Sequence, residues 1–131
     1  MGYKFGNTSK KRIRGVHPKL IAIAERALSY GVMDLTVVPF GGLRTLEDQK
    51  KLVARGASKT LNSLHRPQQS GFGHAIDLAP YPVDWNNIEA FKLYGTLMFR
   101  AAMEEGVVIE WGGHWNWKDY PHFQLPRSFK S

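Results

Sequence analysis

Cysteine is absent from the 131 residues. That excludes disulfides, iron–sulfur clusters and thiolate zinc fingers, so any metal site has to be built from His, Asp or Glu. Long apolar runs are missing too: nothing approaches the roughly 18 residues that cross a bilayer. The opening Met1-Gly2-Tyr3-Lys4-Phe5-Gly6 has no apolar core of a signal peptide and no Ser or Thr at position 6 for myristoylation. The expectation is a protein made soluble in the cytoplasm, without stable membrane association. Acidic residues are scarce, 11 against 18 Lys and Arg, which leaves a formal charge of +7. Basic residues gather near the start (Lys4, Lys10, Lys11, Arg12, Arg14, Lys19) and around the middle (Lys50, Lys51, Arg55, Lys59, Arg66). A solvated surface, nucleic acid and a polyanionic cell envelope all fit such a charge.

What is present is the composition of an ordinary globular protein, 43% apolar and 22% charged, in a chain of one-domain length. No repeat, linker or low-complexity run divides it, so residues 1–131 read as a single domain. Pro18 suits the first turn of a helix whose apolar stripe is Leu20, Ile21, Ile23, Ala24, Ala27 and Leu28, with Gly31 placed to end it. Leu35 to Val38 reads as a strand, broken by Pro39 and Gly41-Gly42. Thr45-Leu46-Glu47-Asp48 is a capping-box pattern that opens a second helix running to Gly56.

From Ala57 to Gly73 the chain is polar and irregular, and loops of that length in compact domains are usually functional or disordered. In the strand from His74 to Leu78, alternation puts Ala75 and Asp77 on one face and Ile76 and Leu78 on the other. Asp84 or Asn86 caps a long helix to about Glu105, where Gly95 in the interior implies close packing against a neighbour. Strands over Val107 to Trp111 and His122 to Leu125 follow, separated by an aromatic turn. The order predicts an α+β fold with a small antiparallel sheet and flanking helices.

The chain has five histidines: His17, His65, His74, His114 and His122. A lone histidine is more often a surface or hydrogen-bonded residue than a ligand. His17, before Pro18, suits capping or surface, and His114 has no partner of its own. His122 lies three residues after Asp119, and His65 lies in the loop that feeds the strand of Asp77. If the two strands are neighbours, Asp77 and His122 project from one face. Alternation turns His74 away from Asp77, while the loop spacing leaves both His65 and His74 as candidates. Three protein ligands and an open fourth position describe a catalytic rather than a structural zinc site.

Ser63-x-His65 with Gly73-x-Ala75-x-Asp77 and Asp119-x-x-His122 resembles the signature of the LAS-type zinc peptidases. That family includes D-alanyl-D-alanine carboxypeptidases and dipeptidases and the L-alanyl-D-glutamate peptidases used as bacteriophage endolysins. The likeness extends to Gly42-Leu43-Arg44-Thr45 with Gln49, to Asp77-Leu78-Ala79-Pro80, to Trp111-Gly112-Gly113-His114-Trp115, and to the opening region from Ser9 to Leu28. Two departures stand out. Seven residues, Arg66 to Phe72, separate His65 from Gly73 where the compact family form has two, and Gln124 stands where relatives often carry an acid.

The resemblance implies a hedgehog/D-Ala-D-Ala peptidase-like fold and a Zn2+ ion held by His65, Asp77 and His122. It implies Asp119 as general base and Arg44 as oxyanion stabiliser, with Gln49 orienting substrate or Arg44 and Ser63 hydrogen-bonding the peptide, while Trp111, Trp115 and Trp117 either wall the cleft or belong to the core. The implied substrate is the peptide stem of bacterial peptidoglycan, with the L-alanyl-D-glutamate bond cleaved for host lysis. The enzyme is expected to be a monomer without nucleic acid. It would collect in the host cytoplasm and reach the wall once the membrane is opened, with no separate wall-binding domain. The rival readings are a D-alanyl-D-alanine carboxypeptidase or dipeptidase with the same metal centre, and a non-catalytic basic module for wall polymer or nucleic acid.

Overall fold

A computed structural model describes residues 2–130. The first helix, α1 (Asn7–Arg12), goes beyond the elements expected from the sequence. It has no side-chain cap and no acidic first turn, and Ser9 alone is buried, so no apolar stripe announces it. Helix α2 (Pro18–Ser29) follows the predicted pattern, with the His17 side chain accepting a hydrogen bond from the Lys19 amide as its cap. His17 is also buried rather than a surface residue. Strand β1 (Asp34–Val37) leads to α3 (Leu46–Ala54), whose Thr45 hydroxyl accepts from the Asp48 amide, as the capping box requires.

Strand β2 (Ala75–Tyr81) precedes the long helix α4 (Ile88–Glu105). Its cap is Asn87, which accepts from the Ala90 amide at 3.1 Å, and not Asp84 or Asn86. Asp84 is engaged one turn earlier, accepting from the Asn86 amide at 3.0 Å. Gly106 closes α4 in the left-handed region at φ +70°, a conformation glycine adopts without steric cost. Strand β3 (Glu110–Trp111) is shorter than predicted, because Val107 is drawn back to the helix end by its bond to the Ala102 carbonyl. A single 3-10 turn, Gly112–His114, and strand β4 (His122–Gln124) complete the chain.

The four strands form one antiparallel sheet in the order β1-β2-β4-β3. Helices α2 and α4 pack on each other, and α4 packs on β2. Their stripes join Ile76, Leu78 and Phe123 in the main core. Ile76 pairs with Phe123 and Trp111 pairs with Phe123, so these three residues share the core face of the sheet. The intervening positions, Asp77, His122, Gln124 and Glu110, therefore share the opposite face. A Cβ at Gly95 would stand 2.8 Å from Cη2 of Trp111, so glycine there lets α4 lie directly against that indole. Among the described residues no helix is long and apolar enough to cross a membrane.

The region from Ala57 to Gly73 is irregular, as expected, but it is tied down. The Gly73 amide and carbonyl bond Gly15 and His17, and the Arg44 amide bonds the His65 carbonyl at 2.9 Å. The lengthened segment from Arg66 to Phe72 folds back on itself, with the Gln68 amide on the Phe72 carbonyl and the Gly71 amide on the Gln68 carbonyl.

Candidate metal centre

Asp77 and His122 are direct cross-strand partners on β2 and β4. The tied loop brings His65 over them. His122 Nδ1 lies 2.9 Å from Asp77 Oδ1, His65 Nε2 lies 3.2 Å from the same oxygen, and the two ring nitrogens are 3.3 Å apart. All three groups are shielded from solvent, His65 almost completely.

The outer bonds of the two imidazoles fix their tautomers. His65 Nδ1 is 2.9 Å from the Gly42 carbonyl, which can only accept, so Nδ1 carries the hydrogen and Nε2 is left with a lone pair. Gln124 Nε2 donates to Glu110 Oε1 at 3.0 Å, which directs the amide oxygen to His122 Nε2 at 2.7 Å. His122 Nε2 must then donate, and its Nδ1 lone pair faces inward. In their neutral forms the two imidazoles therefore present two lone pairs, beside a carboxylate oxygen, to one point. Such a set can accept a cation, and its composition suits zinc. The cluster His65, Asp77 and His122 can hold a metal ion.

Electrostatics without the ion point the same way. Burial would raise the Asp77 carboxyl, but the charges and hydrogen bonds of His65 and His122 overcome it and hold the group far below the usual carboxylate range. Burial lowers the pKa of His65, against the opposing pull of Asp77. At His122 burial also opposes charge, yet the bond to Asp77 wins and its pKa is raised. A proton on His122 Nδ1 is thus the natural occupant when no metal is bound.

The cluster lies in a cleft of about 350 Å³ whose lining includes Arg44, Ser63, Trp115, Trp117, Asp119 and Arg127. Asp119 is carried by the turn before β4: its amide bonds the Gly112 carbonyl at 3.0 Å and its carbonyl accepts from the His122 amide at 3.2 Å. Burial and the nearby Asp77 charge push its carboxyl up to about 6. Arg44 reaches in from the turn before α3, donating to the Phe40 carbonyl, to Gln49 Oε1 at 3.1 Å and to Asp77 Oδ2 at 3.2 Å. It holds the outer oxygen of Asp77 and leaves Oδ1 to the cluster.

Not every sequence expectation finds its residue in the cleft. Gln49 is fully buried beneath Arg44, and its amide nitrogen is taken by Ser58 and the Thr60 carbonyl. It braces the guanidinium, one of the two roles expected of it, and is not among the residues that line the cleft. Ser63 lines the cleft, but its hydroxyl accepts from the His65 amide at 3.1 Å. Trp111 is core, stacked on Phe123 at 5.8 Å, whereas Trp115 and Trp117 do wall the cleft. His74 lies away from the cluster, beside His17 and 2.8 Å from Ser70 Oγ. His114 is outside the cleft and stacks on Phe99.

Two contributors to the histidine geometry were missed from the sequence: Gln124 and the Gly42 carbonyl. Only Gln124 left a signal, since strand alternation sets it on the face of His122.

This geometry agrees with what the chain is similar to. It is 35% identical over 132 residues to the L-alanyl-D-glutamate peptidase of Escherichia phage T5, covering 97% of this chain and 92% of that protein. Its fold matches the crystal structure of the Serratia marcescens L-Ala D-Glu endopeptidase ChiX with a TM-score of 0.79 and 36% identity, over 94% of this chain and 90% of that one. The family model for phage L-alanyl-D-glutamate peptidases matches residues 1–129, and the chain belongs to that family.

Proposed function

We propose that the protein is a zinc-dependent peptidoglycan endopeptidase that hydrolyses the L-alanyl-D-glutamate bond of the wall peptide, as a phage endolysin does. The convergence of three ligand atoms, from His65, Asp77 and His122, beside the half-buried carboxylate of Asp119 in one cleft carries this reading. The relatives named for the same bond favour it over D-alanyl-D-alanine cleavage and over a non-catalytic binding module. His65, Asp77 and His122 would hold the ion. Zinc in such a site supplies a water of lowered pKa and polarises the scissile carbonyl.

The remaining roles belong to the side chains. With its carboxyl at about 6, Asp119 is ionised at neutral pH yet basic enough to take a proton from the attacking water. Once protonated it faces the departing amine and returns the proton there. Arg44 is held by three hydrogen bonds and presents a fixed cation for charge developing on the carbonyl oxygen, an arrangement commonly worth several kcal/mol of barrier. Gln49 keeps that cation aimed. Trp115, with its ring centre 5.1 Å from that of His122, shields the imidazole from water.

The test is to digest purified peptidoglycan and identify the new amino terminus by mass spectrometry, with and without a chelator. New D-glutamate termini that vanish on chelation and return with zinc are expected. New D-alanine release, or chelator-resistant cleavage by metal-free protein, would refute the reading.

A further inference from the structure

We propose that Arg127 reads the free carboxylate of the D-glutamate on the leaving side of the scissile bond, so that the enzyme distinguishes this substrate from one in which that carboxyl is an amide. The inference rests on the bond assigned above. A glutamate has two carboxyl groups and the chain can continue through only one, so the other remains as an anion within a side chain's length of the reacting nitrogen. The cleft already contains two carboxylates, Asp77 and Asp119. A third entering with the substrate would be repelled unless a cation met it.

Three cations line the cleft: Arg44, Lys59 and Arg127. Arg44 is committed to Phe40, Gln49 and Asp77. Lys59 is held over the Trp117 ring, 4.5 Å from its centre. Arg127 is exposed, and its one side-chain hydrogen bond among the described residues is a long contact of 3.3 Å to the Asn62 carbonyl. It takes part in none of the ion pairs among those residues. Its guanidinium fork is free to accept a carboxylate with two parallel bonds.

Its position suits the task. Arg127 and Leu64 form the divide between the metal cleft and a neighbouring polar cleft of about 700 Å³, bordered by Gln68, Ser70 and Lys130. A peptide leaving the metal site past Arg127 would run into that second cleft, which gives the rest of the stem a place to lie.

The test uses the zinc-loaded full chain and two synthetic peptides, N-acetyl-L-alanyl-D-glutamate extended through its γ-carboxyl, with the α-carboxyl either free or as the carboxamide. Wild type should favour the carboxylate peptide by on the order of ten- to a hundredfold in kcat/KM, mostly through KM, the range expected of a charge-assisted pair. Arg127→Ala and Arg127→Gln should bring the ratio near one while leaving turnover of the carboxamide unchanged, and Arg127→Lys should keep part of the preference. Lys59→Ala should leave the ratio in place. Equal cleavage of both peptides by wild type, equal slowing of both by Arg127→Ala, or loss of the preference in Lys59→Ala would overturn the assignment. Cleavage of neither peptide by wild type would refute the bond assignment itself, and this inference with it.

Discussion

Gly112→Ala tests whether catalysis depends on where the turn before β4 places Asp119. A Cβ at position 112 would stand 2.8 Å from Cβ of Asp119, and nearer still to its carbonyl oxygen. Two carbons in contact prefer a separation of about 3.5–4.0 Å, so the two chain segments must part by about 1 Å. The Asp119 amide is bonded to the Gly112 carbonyl, so the turn that carries the carboxylate moves with it. His122 is tied to this turn by the hydrogen bond from its amide to the Asp119 carbonyl, but its register with Asp77 and the bond to Gln124 hold it as well, so the ligand set should survive.

Overpacking of this kind costs about 1–3 kcal/mol of stability, and a displacement near 1 Å at a reacting group can cost on the order of a hundredfold in rate. The expected variant therefore binds one zinc by elemental analysis, melts several degrees lower, and hydrolyses wall peptide about a hundredfold more slowly. Gly6→Ala is the control, since nothing lies within 4 Å of a Cβ there. Wild-type turnover by zinc-loaded Gly112→Ala would refute the reasoning. Loss of zinc would show that the turn supports His122 rather than Asp119.

Other expectations concern charge and the metal. Asp119→Asn should fold, keep zinc and lose at least roughly a hundredfold in turnover, because the water proton then has no acceptor. The same variant should stabilise the metal-free protein at pH 7. A carboxyl moved from 3.8 to about 6 loses folded-state stability as pH rises through that interval, and asparagine removes the loss. Thermal melts at pH 7 and pH 3 read this directly, the gain vanishing at the lower pH; a gain that persists there would contradict it. Gln124→Ala should weaken zinc about ten- to a hundredfold by freeing the His122 ring, and an unchanged Kd would dismiss that brace. Zinc binding near neutral pH should release the proton that Asp77 favours on His122, so calorimetry in buffers of different ionisation enthalpy should detect it.

The larger elements were legible because each carried a local rule. Pro18 and the apolar stripe marked α2, the capping box marked α3, and Gly106 marked the end of α4. Helix α1 was not, since a six-residue helix without a cap or stripe offers nothing to read. The cap of α4 was misplaced because Asp84, Asn86 and Asn87 all have suitable side chains. Which of them caps depends on the turn that Asp84 makes with Asn86. Strand β3 is shorter than its apolar residues suggest, because Val107 bonds back to the Ala102 carbonyl and only Glu110 and Trp111 pair with β4.

At the site, the groups that converge were legible and the groups that aim them were not. His65, Asp77 and His122 sit in short motifs, and alternation along β2 turned Asp77 from His74. The partners that fix the imidazoles come from far along the chain and depend on register: the Gly42 carbonyl for His65, and Glu110, through Gln124, for His122. Gln124 shows why this matters. A carboxylate bonded directly to His122 Nε2 would make the imidazole a stronger donor and quench more of the metal's charge. A neutral amide sets Glu110 one bond further back, where it still dictates the tautomer but donates less charge. With Arg44 drawing on the other oxygen of Asp77, such a set would leave more positive charge on an ion held there. Gln124, where the family resemblance leads one to expect an acid, is in the fold a relay between Glu110 and His122.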